Sequence, residues 1–270
     1  MDGLMIPTLE QSFILGIVQG ITEFLPISST AHLLITQRLF GILEPNLFFT
    51  TVIQSGSVLA IMVYFWKELT EVFEHLFNRN LRDFEFFIAG TLPVLIIGFL
   101  SRDVIAWMHQ SLWVTSVALI GVAVCMALIE LSKKITRTSE KAFHTEDLDW
   151  KSSAWIGLFQ SLALIPGVSR SGITMIGGLT QKLSLEHATK ASFLLGIPAL
   201  GAATTYELLG GLLFQPVSSQ LAIMTFVGFL FAFLSSLFSI HFTIGLVKKH
   251  GFWPFVGYRV FLGLAILFLL

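Results

Sequence analysis

Two short stretches of this 270-residue chain place chemically versatile side chains inside otherwise apolar surroundings. In the first, Gln19 and Glu23 stand four residues apart and therefore share one face of a helix. Just beyond Pro26 come Ser28, Ser29 and His32, again at helical spacings of four and three. In the second, Pro166-Gly167 is followed by Ser169, Arg170, Ser171 and Thr174. A carboxylate, an imidazole, several hydroxyls and a permanently charged guanidinium are the parts required to grip a phosphate and move protons around it.

The second stretch supplies the anion-binding half. Ser169, Arg170 and Ser171 begin a helix running toward Thr180, and a helix start offers unpaired N–H donors and a partial positive charge. Arg170 adds a planar fork matched to phosphate oxygens, and Ser169, Ser171 and Thr174 add hydroxyl donors. Structural roles are open for the same residues: Ser28 or Ser29 as a helix N-cap, His32 as a hydrogen-bonded buried imidazole, and Arg170 as a counter-ion for Glu23. An ionisable group at the centre of a membrane span costs roughly 2.5–3.5 kcal/mol, so Glu23 needs a partner or a task.

The elements that position these residues are membrane helices. The chain is 54% hydrophobic and 12% charged, with a mean hydropathy of +0.81, about half the charge of a soluble domain. Runs near 47–66, 86–101, 112–132, 191–213, 221–247 and 253–270 approach the ~20 apolar residues that a span requires. Two more apolar stretches, about 9–42 and 153–182, are interrupted by the Pro26 and Pro166 breaks. Interrupted helices persist at membrane depth only where protein or a wet cavity satisfies the backbone. The expected fold is therefore an all-α polytopic membrane protein with six transmembrane helices and two re-entrant helix hairpins.

Basic residues fall on alternate connections. Lys67, Arg79 and Arg82 occupy one; Lys133, Lys134, Arg137, Lys141 and Lys151 the next; Lys248 and Lys249 a third. The stretch 102–111 has only Arg102, and 214–220 has no charge. The positive-inside rule puts the first three in the cytoplasm and both termini outside. Shifting the chain by 140 positions lays Pro26 on Pro166, Ser29 on Ser169, Leu33 on Ile173 and Gly56 on Gly196, with Gln19 one short of Gln160. One hairpin plus three spans per half makes an inverted-topology repeat, residues 1–140 and 141–270, within a single membrane domain. Such a repeat places its site where the two breaks meet.

The first motif, Gln19-x-x-x-Glu23 followed by Pro26-Ile27-Ser28-Ser29-Thr30-Ala31-His32, resembles the first signature of the bacitracin-resistance type of undecaprenyl-pyrophosphate phosphatase. The second, Pro166-Gly167-Val168-Ser169-Arg170-Ser171-Gly172-Ile173-Thr174, resembles that family's second signature, and the likeness extends over the whole chain. Gln19 departs from the Glu that many members carry. The resemblance implies hydrolysis of undecaprenyl diphosphate to undecaprenyl phosphate and phosphate, recycling the carrier lipid for peptidoglycan and conferring bacitracin resistance. It implies a multi-pass protein of the bacterial inner membrane, a site facing the periplasm, and a divalent cation, Mg²⁺ or Ca²⁺, held by Glu23 and Gln19. Ser29, as nucleophile or as positioner of a water, and His32, as proton-transfer partner, would complete the catalytic set with Glu23 and Arg170. Gln19, Ser28, Ser169, Ser171 and Thr174 would bind substrate.

The alternative from the same architecture is a polyprenyl-phosphate transporter or flippase built on this anion site. A membrane acid phosphatase with its histidine six residues beyond the arginine is excluded, because that position is Ile176. Net charge of −1 and a pI near 6.7 offer no field for nucleic acid. Expected partners are undecaprenyl diphosphate and membrane lipid; a homodimer is compatible with the sequence. Cys125 lies in an apolar run as a small hydrophobe, and no Cys/His set has zinc spacing.

Overall fold

The computed structural model describes residues 6–42, 46–78, 81–109, 111–132, 135–139, 143–145, 148–214 and 217–268. Among the described residues it contains twelve α-helices and no strand. In chain order they are α1 (Leu9–Phe24), α2 (Ser29–Leu39), α3 (Leu47–Tyr64), α4 (Trp66–Phe77), α5 (Arg82–Leu100) and α6 (Arg102–His109), followed by α7 (Leu112–Leu131), α8 (Trp150–Ser161), α9 (Arg170–Thr180), α10 (Leu185–Phe214), α11 (Ser219–His250) and α12 (Trp253–Phe268). A 3₁₀ turn, Leu162–Leu164, extends α8.

Helices α3, α5, α7, α10 and α11 are long and apolar enough to cross a membrane, and α12 is apolar over its 16 residues. These match the six runs read from hydropathy, with two adjustments. The second span begins at Arg82 because Asp83 and Glu85 sit comfortably in a helical first turn. The fourth begins at Leu185, where Glu186 pairs with Lys190 and Lys248 at 3.2 and 3.0 Å. The connections 67–85 and 102–111 are not plain loops; they contain α4 and α6. Both are too short to span and amphipathic, and neither buries a residue, as a helix lying along an interface would.

Each interrupted stretch is a hairpin, α1–α2 and α8–α9. The residue before each proline, Leu25 and Ile165, is extended (ψ 137° and 122°), because the proline ring bars it from helical geometry. Each return helix starts on a serine of positive φ, 76° at Ser28 and 72° at Ser169. The Ser28 hydroxyl accepts from the Ala31 N–H, and that of Ser169 from the Gly172 N–H. These caps are 141 positions apart, not 140, and the same shift carries Gln19 onto Gln160. The prolines are the exception: Pro26 lies two residues before its cap and Pro166 three. The expected junction at 140/141 lies outside the described residues.

The hairpins exchange partners. Helix α1 packs along α11, and α8 along α5. Both contacts are close because glycines meet: Gly16 faces the Gly228 carbonyl, and Gly157 faces that of Gly90. Phe24 and Phe193 meet edge to face, centroids 5.1 Å apart, in the core beneath the breaks.

Candidate active site

Glu23 lies in the last turn of α1 and Arg170 begins α9, so each break delivers one charge. Arg170 Nη2 donates to Glu23 Oε1 at 3.0 Å across 147 residues of chain. Both side chains are nearly sequestered, 10% and 4% exposed, which leaves each dependent on the other. The second carboxylate oxygen, Oε2, accepts from the Ser29 hydroxyl at 2.7 Å and from Gln19 Nε2 at 3.2 Å. Gln19 is held in turn by Ser57 of α3 at 3.4 Å, and Ser57 accepts from Ser236 of α11 at 2.9 Å. Arg170 Nη1 donates to the Ser192 carbonyl at 3.0 Å. Its Nε–H is buried without a hydrogen-bond partner, a donor of the kind an anion satisfies.

The arrangement brings together Gln19, Glu23, Ser29 and Arg170. A hydroxyl bonded to a carboxylate, with a guanidinium on the other oxygen, can lose its proton to that carboxylate as it attacks. Other residues of the two motifs are turned to structural tasks. Ser28 and Ser169 are caps. Ser171 donates to the Leu25 carbonyl at 3.2 Å, joining one break to the other. Thr174, fully buried, donates to the Arg170 carbonyl at 2.7 Å and so bonds back into its own helix.

His32 does not meet Ser29. Its Nδ1 donates to the Ser28 carbonyl at 2.7 Å, and its Nε2 lies 2.6 Å from the Tyr258 hydroxyl.

Arg259 and Glu207 lie in neither motif. Arg259 is fully buried and donates to five carbonyls: Pro26 in the first break, Gly167 and Val168 in the second, and Ala118 and Leu119 of α7. It ties both breaks to the bundle without a carboxylate. Glu207 accepts from Thr51 and, with Gln19, Ser29, Gln37, Gln54 and Pro166, lines a cavity of about 260 Å³ beside the ion pair. Both residues carry charge inside apolar spans, and the cost argument applied to Glu23 is the signal that identifies them.

Glu23 and Gln19 are oxygen donors of the type Mg²⁺ and Ca²⁺ prefer. No group of three His, Cys, Asp or Glu side chains gathers among the described residues. One carboxylate and one amide would hold such a cation only with further ligands from substrate or water.

The profile of the family described as bacitracin resistance protein BacA matches residues 12–265. An undecaprenyl-diphosphatase of Chlorobium phaeobacteroides is 41% identical, covering 96% of each chain. Those of Bdellovibrio bacteriovorus and Corynebacterium glutamicum are each 40% identical over 96% of this chain, and 95% and 90% of their own.

Proposed function

The chain belongs to the bacitracin resistance protein BacA family and is an undecaprenyl-diphosphatase, and we propose that it releases the terminal phosphate of its lipid substrate at the Glu23–Arg170 centre. The carrying observation is the 3.0 Å ion pair joining the two breaks, with the Ser29 hydroxyl on the remaining carboxylate oxygen.

Phosphoryl transfer needs charge neutralisation and an aligned nucleophile more than covalent help from the protein. Arg170 and the N–H groups at the start of α9 bind the diphosphate. Ser29 Oγ attacks the terminal phosphorus as its proton passes to Glu23. The Oγ–P bond forms, the bridging P–O bond breaks, and undecaprenyl phosphate departs with the bridging oxygen. Water then attacks the phosphoserine, with His32 as proton-transfer partner, restoring Ser29 and releasing phosphate. Glu23 and Gln19 would hold a divalent cation, Mg²⁺ or Ca²⁺, whose charge offsets that of the diphosphate.

The chain is a multi-pass membrane protein. We place it in the bacterial inner membrane with the site and both termini toward the periplasm. The cavity rim at Thr51 and Glu207 lies at the opposite end of α10 from the Glu186–Lys248 pair, and the basic turn marks the cytoplasmic side. Leu33 and Leu34 on the cavity wall offer an apolar bed to the prenyl tail. Recycling of the carrier lipid for peptidoglycan follows from that placement. The transport alternative is not favoured, since the relatives are named for hydrolysis.

The test is phosphate release from a short prenyl diphosphate by the purified protein in detergent. Arg170→Ala and Glu23→Ala should abolish turnover even in the fraction that inserts and folds; near-normal turnover by either variant would remove the assignment.

A further inference from the structure

The side chain of His32 is directed away from both breaks, to α12. Its Nδ1 faces the Ser28 carbonyl at 2.7 Å, and a carbonyl only accepts. Nδ1 therefore carries the hydrogen in every protonation state of a ring so placed. Any proton that His32 gains or loses moves at Nε2. The atom facing Nε2, at 2.6 Å, is the Tyr258 hydroxyl of α12. The two rings also stack, with centroids 5.6 Å apart and planes 7° from parallel. A phenol suits both forms of the imidazole: it donates to the neutral ring and accepts from the cation.

From this geometry we infer that Tyr258 is a positioning residue for the reaction, fixing the tautomer of His32 and standing on the path by which its Nε2 exchanges a proton. The inference rests on the reading of His32 as proton-transfer partner. The charged and titratable groups around His32 are few. Helix α1 contributes Glu23, and α12 contributes Tyr258 itself and Arg259. Helix α7 turns the apolar Leu112 and Leu119 toward α2. Arg259 is fully engaged with carbonyls, and Glu23 with Arg170, Ser29 and Gln19. Among the described residues, only Tyr258 meets Nε2.

Steady-state phosphate release from farnesyl diphosphate in detergent, measured across pH, tests the link with Tyr258→Phe, His32→Gln and the double variant. Phenylalanine keeps the stacked ring and removes only the hydroxyl. Tyr258→Phe should lower kcat about tenfold, the equivalent of one hydrogen bond, leave KM within about twofold, and displace the His32 limb of the kcat profile by about one pH unit. The double variant should be no slower than His32→Gln alone, because the hydroxyl acts only through the imidazole. Losses that multiply, or a Tyr258→Phe profile superimposable on that of the unaltered enzyme while His32→Gln is inactive, would overturn the inference and leave the role of His32 standing. A fully active His32→Gln would overturn both together. Should Tyr258→Phe fold poorly, a fluorotyrosine at 258, of nearly unchanged shape and lower hydroxyl pKa, must shift the same limb; an unmoved limb would likewise defeat the proposal.

Discussion

Gly196 on α10 makes the bed on which the Arg170 guanidinium lies. A Cβ at Gly196 would fall 2.6 Å from Arg170 Nη1 and 2.8 Å from Cζ, closer than side chains tolerate. The obstructed group is the end of a flexible chain, so the fold can accommodate alanine by moving the guanidinium. That motion would part Arg170 from Glu23 and from the Ser192 carbonyl. Gly196→Ala should therefore fold nearly as well as the parent, with Tm within a few degrees, while kcat/KM drops by about 10²-fold, a loss typical of displaced catalytic groups. Thermal unfolding and phosphate release on the same preparation check it.

The ion pair makes a separate prediction about stability. Removing one member of a buried pair leaves an uncompensated charge, at a cost of about 3–5 kcal/mol. Glu23→Gln should be strongly destabilised and inactive. Combining it with Arg170→Gln should recover part of the stability, because neither charge then remains, and no activity. A double-mutant cycle in denaturant checks this, with additive losses as the contrary outcome.

In the proposed mechanism Ser29 carries the covalent step. Ser29→Ala removes the hydroxyl that donates to Glu23 Oε2 at 2.7 Å and leaves the ion pair in place. It should lower kcat by roughly 10³-fold or more with little change in KM. Rapid quench with a substrate labelled in the terminal phosphate should trap label on the parent protein and none on the variant. Label-free quenching of an active parent would shift the nucleophile from serine to water.

The breaks and the residues beside them were legible because their signals are local. A proline, small polar residues and a lone carboxylate in an apolar run mark a break whatever surrounds it, and the pairing of Glu23 with Arg170 followed from charge alone. The matching prolines draw the comparison of the two halves to a shift of 140, whereas the caps Ser28 and Ser169 stand 141 apart. Helices α4 and α6 fall in connections of the hydropathy pattern because their charged residues lower it below that of a span. The partners of His32 were hidden for a different reason. Tyr258 lies 226 residues away, and no spacing rule reaches that far. Likewise, nothing in P-x-x-S-R-S distinguishes the buried Thr174, bonded into its own helix, from a donor open to substrate.

Arg259 is where the two breaks share one support. Its guanidinium reaches the Pro26 carbonyl at 3.0 Å and the Gly167 carbonyl at 2.9 Å, with Val168, Leu119 and Ala118 at 3.2 to 3.4 Å. Lysine keeps the charge but has three donors instead of five and no planar fork. Arg259→Lys should thus leave at least two of these carbonyls without a charged donor, at about 1–3 kcal/mol for each one stranded. The breaks would loosen relative to one another, and the loss should reach the chemistry, because Pro26 and Gly167 lead directly into the helix starts that carry Ser29 and Arg170. The expected result is a Tm lowered by several degrees together with a fall in kcat that persists at saturating substrate and well below the unfolding transition. If Arg259→Lys were destabilised but turned over normally at low temperature, Arg259 would be a support of the bundle alone, and the alignment of the two breaks would have to come from the Ser171–Leu25 bond and the Glu23–Arg170 pair.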